Sequence, residues 1–307
     1  MFIELSLLVA GIFPGWLLRK NSRAVTLVGH ATMGTIYALL FILGLRLGSD
    51  EALIRALHVL GIQGLTIGFC CTMGSAVCMV PIGRFFSVRT GSDTNAGQEG
   101  GFWQGMKGSL KILGCFCVGL GLGVGDVLPH WFYGGDVFLY ILRAMLVCVG
   151  MCMGFDLKAF LIVRDLGLRV LLIPLLTIAG TVVGAFIASL FFADLDFRSC
   201  LGAGVGMGYY SLSTIIVTEL ATPALASITL IANVFRELFI LLATPLLIRL
   251  LGPLAPVAGA GAPGVDVCLP GIMRFAGERY GFLALFNGMI MTMLVPVMVT
   301  LALTFGR

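Results

Sequence analysis

Apolar runs of about 20 residues, the length a helix needs to cross the roughly 30 Å hydrocarbon core of a bilayer, recur from one end of this sequence to the other. They fall near residues 2–18, 26–48, 57–82, 109–128, 137–154, 168–193, 223–250 and 281–304, separated by charged or Pro/Gly punctuation. Inside hydrocarbon every backbone N–H and C=O must be paired within the protein, and these runs lack the alternation of barrel strands, so they predict helices. With 59% hydrophobic and 11% charged residues, the 307-residue chain has too few charges to cover a water-soluble domain of its size. The expected fold class is all-α: a polytopic integral membrane protein with eight full spans. Two further stretches, 200–218 and 252–272, are rich in Gly, Pro and hydroxyl residues and predict broken or re-entrant segments. The first run lacks a basic leader and carries Glu4, so it reads as a retained span rather than a signal peptide.

Basic residues gather on alternate loops: Arg19, Lys20 and Arg23, then Arg84, Arg89 and Lys107, then Lys158, Arg164 and Arg169. The positive-inside rule makes these loops cytoplasmic, in the inner (plasma) membrane, with the N-terminus outside. The C-terminus is also outside if both irregular stretches re-enter or both cross. An internal repeat organises the spans. Gly44-x-x-x-Gly48-x-Asp50 recurs as Gly150-x-x-x-Gly154-x-Asp156, a shift of 106 residues that also pairs Gly15 with Gly121, Gly61 with Gly167 and Gly74 with Gly180. Three spans separate the copies, and an odd number inverts the second, the architecture of many secondary transporters. The chain thus reads as one transmembrane domain over 1–307: a first repeat 1–86, a polar cytoplasmic linker 87–107, a second repeat 108–193, and a site-bearing region 199–307. Chance recurrence of abundant glycines is the competing account.

Several chemistries lack an anchor. No His-Glu-x-x-His, Gly-x-Ser-x-Gly or P-loop occurs. The nine cysteines sit mostly in apolar runs without metal-ligand spacing, so neither a metal nor another cofactor is expected. A net charge of +4, dispersed along the chain, gives no nucleic-acid footprint. Gly123-Val124-Gly125-Asp126 with Pro223-Ala224-Leu225 imitates pieces of intramembrane aspartyl proteases, but the matching Tyr-Asp is missing.

An ionisable group at mid-bilayer costs on the order of 3 kcal/mol or more, so each such residue asks for a partner or a purpose. Arg236-Glu237 lies in the middle of the run 223–250, with Asn233 one turn before Glu237. It reads either as a structural ion pair or as a cation or proton site on Glu237 that Arg236 adjusts or gates. Asp266 lies in a Gly/Pro-rich stretch where a helix must break, a place to coordinate a small ion or amino acid, or else simply to cap the next turn. The glycines from Gly202 to Gly208 lead into Tyr210, Ser211 and Ser213, whose hydroxyls and nearby free amides can cradle a carboxylate, unless the stretch only packs helices closely. Glu219 sits just beyond, at an interface, while Asp50, Glu51 and Asp156 end spans.

The C-terminal third resembles the lysine exporter family LysO. The resemblance rests on Gly202-Ala203-Gly204 through Gly208-Tyr209-Tyr210-Ser211-Leu212-Ser213 to Thr218-Glu219, on Asn233-Val234-Phe235-Arg236-Glu237-Leu238, on Gly252-Pro253-Leu254 with Asp266 and Leu269-Pro270, and on Asn287-Gly288. Leu43-Gly44-Leu45-Arg46-Leu47-Gly48 carries it into the N-terminal half. The chain departs from the family pattern at Tyr209, Thr214, Asn287 and the residues before Asp266. The resemblance implies export of L-lysine and its toxic analogues, with essential intramembrane acids at Glu237 and at Asp50 or its neighbour Glu51. Export of a cation against an inside-negative potential costs about 2.3 kcal/mol per 100 mV, so exchange for protons is the economical coupling. The partners expected are lysine, protons or another small cation, the lipid bilayer, and a second copy of the chain in a homo-oligomer. The rivals are a cation/proton antiporter or an exporter of another amino acid, and outside transport a membrane scaffold or intramembrane enzyme.

Overall fold

The computed structural model describes residues 2–49, 51–86, 102–125, 135–155 and 167–304, and every regular element among them is helical. Asp50, Asp126, Asp156 and most of the linker expected over 87–107 lie outside the described residues. In order, the helices are α1 (Phe2–Leu18), α2 (Ser22–Ser49), α3 (Glu51–Cys78), α4 (Val80–Phe86), α5 (Phe102–Val124), α6 (Gly135–Phe155) and α7 (Leu172–Ser189), the last preceded by a 3-10 turn. Then follow α8 (Phe197–Gly204), α9 (Tyr210–Leu220), α10 (Pro223–Leu251), α11 (Ala255–Ala260), a 3-10 turn Ala262–Val265, α12 (Leu269–Ala276) and α13 (Glu278–Thr304).

Five helical stretches among the described residues are long and apolar enough to cross a membrane: Ser22–Ser49, Leu60–Gly83, Arg169–Ser189, Pro223–Leu251 and Glu278–Thr304. Three shorter apolar stretches, Val9–Leu18, Gly114–Val124 and Leu139–Phe155, fall in the remaining runs read from the sequence. Local chemistry sets where helices begin. Asn21 accepts the Arg23 N–H at 3.1 Å to start α2, Asp196 accepts Ser199 N–H at 3.0 Å to start α8, and Thr222 accepts Leu225 N–H at 3.2 Å to start α10 with Pro223 in its first turn.

The chain packs as two units, Met1–Ile54 with Trp103–Asp165, and Arg55–Phe102 with Leu166–Arg307. In the first, α1 lies against α6 and α2 against α5. Both crossings run through glycines: Gly11, Gly15 and Gly154 in one, Gly44, Gly48, Gly119 and Gly123 in the other, each facing the partner's backbone. Lipid tails are as apolar as leucine, so close backbone approach through small residues is what holds such helices together. In the second unit α3 crosses α7 at Gly74 and Gly180, where a side chain on either would strike the other's carbonyl.

Each of the two Gly/Pro-rich stretches is a broken helix. The first splits into α8 and α9 around residues 205–209, and the second into α11 and α12 around 261–268. The breaks meet: Ala262 N–H donates to the Met207 carbonyl at 2.9 Å, and a Cβ on Gly208 would lie 2.6 Å from Pro263 Cδ. Gly208 at φ +86° and Gly261 at φ +62° take the left-handed turns that let two backbones approach this closely.

Candidate functional site

The second unit gathers most of the residues singled out in the sequence around these two breaks, with α10 and α13 supplying the side chains. Asn233, 2% exposed, bonds the first break on both sides. Its Oδ1 accepts Gly208 N–H at 2.7 Å, and its Nδ2 donates to Ala203 O at 3.0 Å and to Thr229 O at 2.8 Å. Hydrogen bonds between membrane helices average only about 0.6 kcal/mol, but a backbone group at a break has no helical partner to fall back on, which raises the cost to about 1–3 kcal/mol each. Asn233→Leu is therefore expected to lower the midpoint of thermal unfolding in detergent by several degrees. An unchanged midpoint would show that the break finds other partners.

Arg236, only 1% exposed, reads in the sequence as a partner of Glu237 or a group that adjusts it. The structure gives its guanidinium a different task. It donates to four neutral oxygens: Nε to Gly259 O at 2.8 Å, Nη2 to Ala258 O at 3.2 Å and to Ser75 Oγ at 3.1 Å, and Nη1 to Thr181 Oγ1 at 3.3 Å. Successive residues on a helix point about 100° apart, so Arg236 turns toward α3, α7 and α11 while its neighbour turns elsewhere. Gly259 and Ala258 end α11, where the last carbonyls have no intrahelical donor and carry the negative end of the helix dipole. Asn287, fully buried, completes the same cap, donating to Val257 O at 3.2 Å while Thr177 Oγ1 reaches its Oδ1 at 3.4 Å.

Glu237 presents the opposite situation. It is 4% exposed, and among the described residues no donor bonds its carboxylate; its backbone carbonyl receives the Cys268 thiol at 3.8 Å. Asp266, two residues before Cys268, is half-buried, takes the Val267 N–H on Oδ1 at 2.6 Å, and lies near enough for its charge to act on Glu237. The buried Glu237 therefore has a second carboxylate in its neighbourhood, at a helix break.

Other expected residues fall elsewhere. Ser213 is buried, but its hydroxyl donates back to Tyr209 O at 2.8 Å and Tyr210 O at 3.3 Å, so it does not point to an open site. Tyr210 is half-buried at the start of α9, Ser211 is exposed, and Glu219 is exposed near the end of α9. Glu51 is exposed at the start of α3 and belongs to the first unit. No group of His, Cys, Asp or Glu among the described residues has the geometry of a metal site.

Ser75, Thr177 and Thr181 were not read from the sequence as part of the site, yet a signal was present. The 106-residue shift that pairs Gly74 with Gly180 also pairs Ser75 with Thr181, and these hydroxyls meet at 2.8 Å.

A family model described as Lysine exporter LysO matches residues 5–103 and 113–303. The chain belongs to the lysine exporter LysO family. Among its relatives, Lysine exporter LysO of Escherichia coli (strain K12) is 28% identical over 194 residues, which are 62% of this chain and 62% of that protein. A putative lysine exporter of Haemophilus influenzae is 25% identical over 190 residues, 61% of this chain and 94% of that protein. The match to the E. coli relative thus spans less than two thirds of its length. No solved structure matches this LysO-family chain.

Proposed function

We propose that this chain exports lysine from the cytoplasm in exchange for protons, and that the two cargoes compete for the Glu237 and Asp266 carboxylates. The names of its relatives supply the substrate class. The observation that carries the site is a buried carboxylate without a donor among the described residues, beside a second carboxylate, while the adjacent arginine is spent on neutral oxygens. Two negative charges in a low-dielectric place are costly unless a cation or a proton joins them. A lysine ammonium and a proton both meet that need, and one excludes the other. An outward-facing site takes the proton, and an inward-facing one exchanges it for lysine.

Inverted repeats give such a cycle its two states. In support, α1 packs on α6 and their counterparts α5 and α2 pack on each other, while α3 and α7 meet at the equivalent residues Gly74 and Gly180. In this reading both broken helices line the site, all eight apolar runs cross, and the N-terminus is outside. The acid that the family resemblance places at Asp50 or Glu51 serves the same proton and cation traffic.

The test is flux. Purified protein in liposomes loaded with labelled lysine should release it against an inward proton gradient several-fold faster than without the gradient. Release equal to that of empty liposomes would remove lysine as substrate, and release indifferent to the gradient would remove proton exchange. Flux of sodium or of another amino acid under the same gradient would favour the cation/proton antiporter or the other amino-acid exporter.

A further inference from the structure

The first unit carries a groove that the transport reading does not use. It is an open depression of about 460 Å³ between α2 and α5, lined by Tyr37 and Phe41 on α2 and by Lys111, Gly114, Cys115 and Val118 on α5. The spacing is that of one helix face on each side: four residues apart on α2, and three, four and seven from Lys111 on α5. From Lys111 to Val118 the stripe runs about 10 Å along the helix axis.

The two ends of the groove differ in chemistry. Lys111 is exposed and lies within two residues of the N-terminal end of the apolar run 109–128. A lysine there lays its methylenes along the helix and lifts its ammonium to the headgroup layer. Beyond it the groove is walled by Phe41, Cys115 and Val118 and hollowed at Gly114, where an added Cβ would meet nothing within 4 Å. A cation at the mouth and an apolar channel leading inward match a molecule with a phosphate at one end and hydrocarbon at the other. An ammonium lifted to the headgroup layer meets a phosphate there without leaving that layer, which favours a lipid as the occupant.

We propose that this groove binds an anionic glycerophospholipid, with the phosphate on the Lys111 ammonium and one acyl chain laid along Gly114, Cys115 and Val118 against Phe41. A basic residue near an anionic headgroup favours it over a neutral one by about fivefold.

Native mass spectrometry of the full chain, given phosphatidylglycerol and phosphatidylcholine with the same acyl chains, tests this. Wild type should retain phosphatidylglycerol about fivefold over phosphatidylcholine. Lys111→Gln should bring the two to near parity, and Lys111→Arg should keep the preference. Gly114→Leu grows into open space and should reduce retention of both lipids without impairing folding. Equal retention of the two lipids by wild type overturns the proposal, as does a preference that survives both Lys111→Gln and Gly114→Leu. A dimer lost in Gly114→Leu, with lipid retention unchanged, would instead assign the groove to a second copy.

Discussion

Glu237→Gln is expected to leave the protein in the membrane at its wild-type level, to reduce proton-driven lysine efflux by at least about tenfold, and to leave thermal stability equal or higher. The three outcomes belong together. Glutamine keeps the volume of glutamate, drops its charge and exchanges one acceptor oxygen for an NH2 donor, and no hydrogen bond to the carboxylate is broken, since none is made among the described residues. Stability therefore loses no hydrogen bond, and removing a buried charge in the field of Asp266 relieves repulsion. Transport loses its exchangeable charge: about 1.4 kcal/mol of cation binding already corresponds to tenfold, and a buried ion pair is worth more than that when one partner is removed. Efflux from vesicles and the unfolding midpoint, measured on the same preparation, decide the matter. A variant that transports normally would exclude Glu237 from the cycle, whereas one that fails to reach the membrane would recast it as a structural residue.

Arg236→Lys should fail in the opposite way, losing stability first and transport as a consequence. The guanidinium spans two carbonyls at the end of α11 and two hydroxyls on α3 and α7. An ammonium is a point donor that cannot reach all four. Without the arginine the Ser75 and Thr181 hydroxyl protons each still have an acceptor one turn back, Cys71 O at 2.9 Å and Thr177 O at 2.8 Å. The loss therefore falls on Ala258 O and Gly259 O. At about 1–3 kcal/mol for each orphaned carbonyl, the unfolding midpoint should drop by several degrees, well below that of Glu237→Gln. If Arg236→Lys, which keeps the charge, held wild-type stability but lost transport, the reach of the guanidinium would serve the transport cycle rather than the fold, and the gating role read from the sequence would stand in place of the structural one.

These two neighbours show how far the sequence reaches. Burial of both was legible, because each sits mid-run where an ionisable group has no water. Their separation was not, because an arginine and a glutamate side by side read as a pair until the helix rotation and the carbonyls of α11 are placed. Asn287 entered only through the family resemblance, and the structure gives it a physical reason in Val257 O. Ser213 went the other way: a hydroxyl in a promising stretch turns out to bond its own helix, a local alternative always open to serine.

The apolar runs by themselves determined that the described chain is helical and where its helices lie, since hydrocarbon leaves the backbone no other way to satisfy itself over 20 residues. The two Gly/Pro-rich stretches likewise marked where helices break. Only the tertiary structure decided which polar groups face one another at those breaks, for the free carbonyls of α11 and the free amide of Gly208 exist as binding partners only once the helices that end there have been folded together.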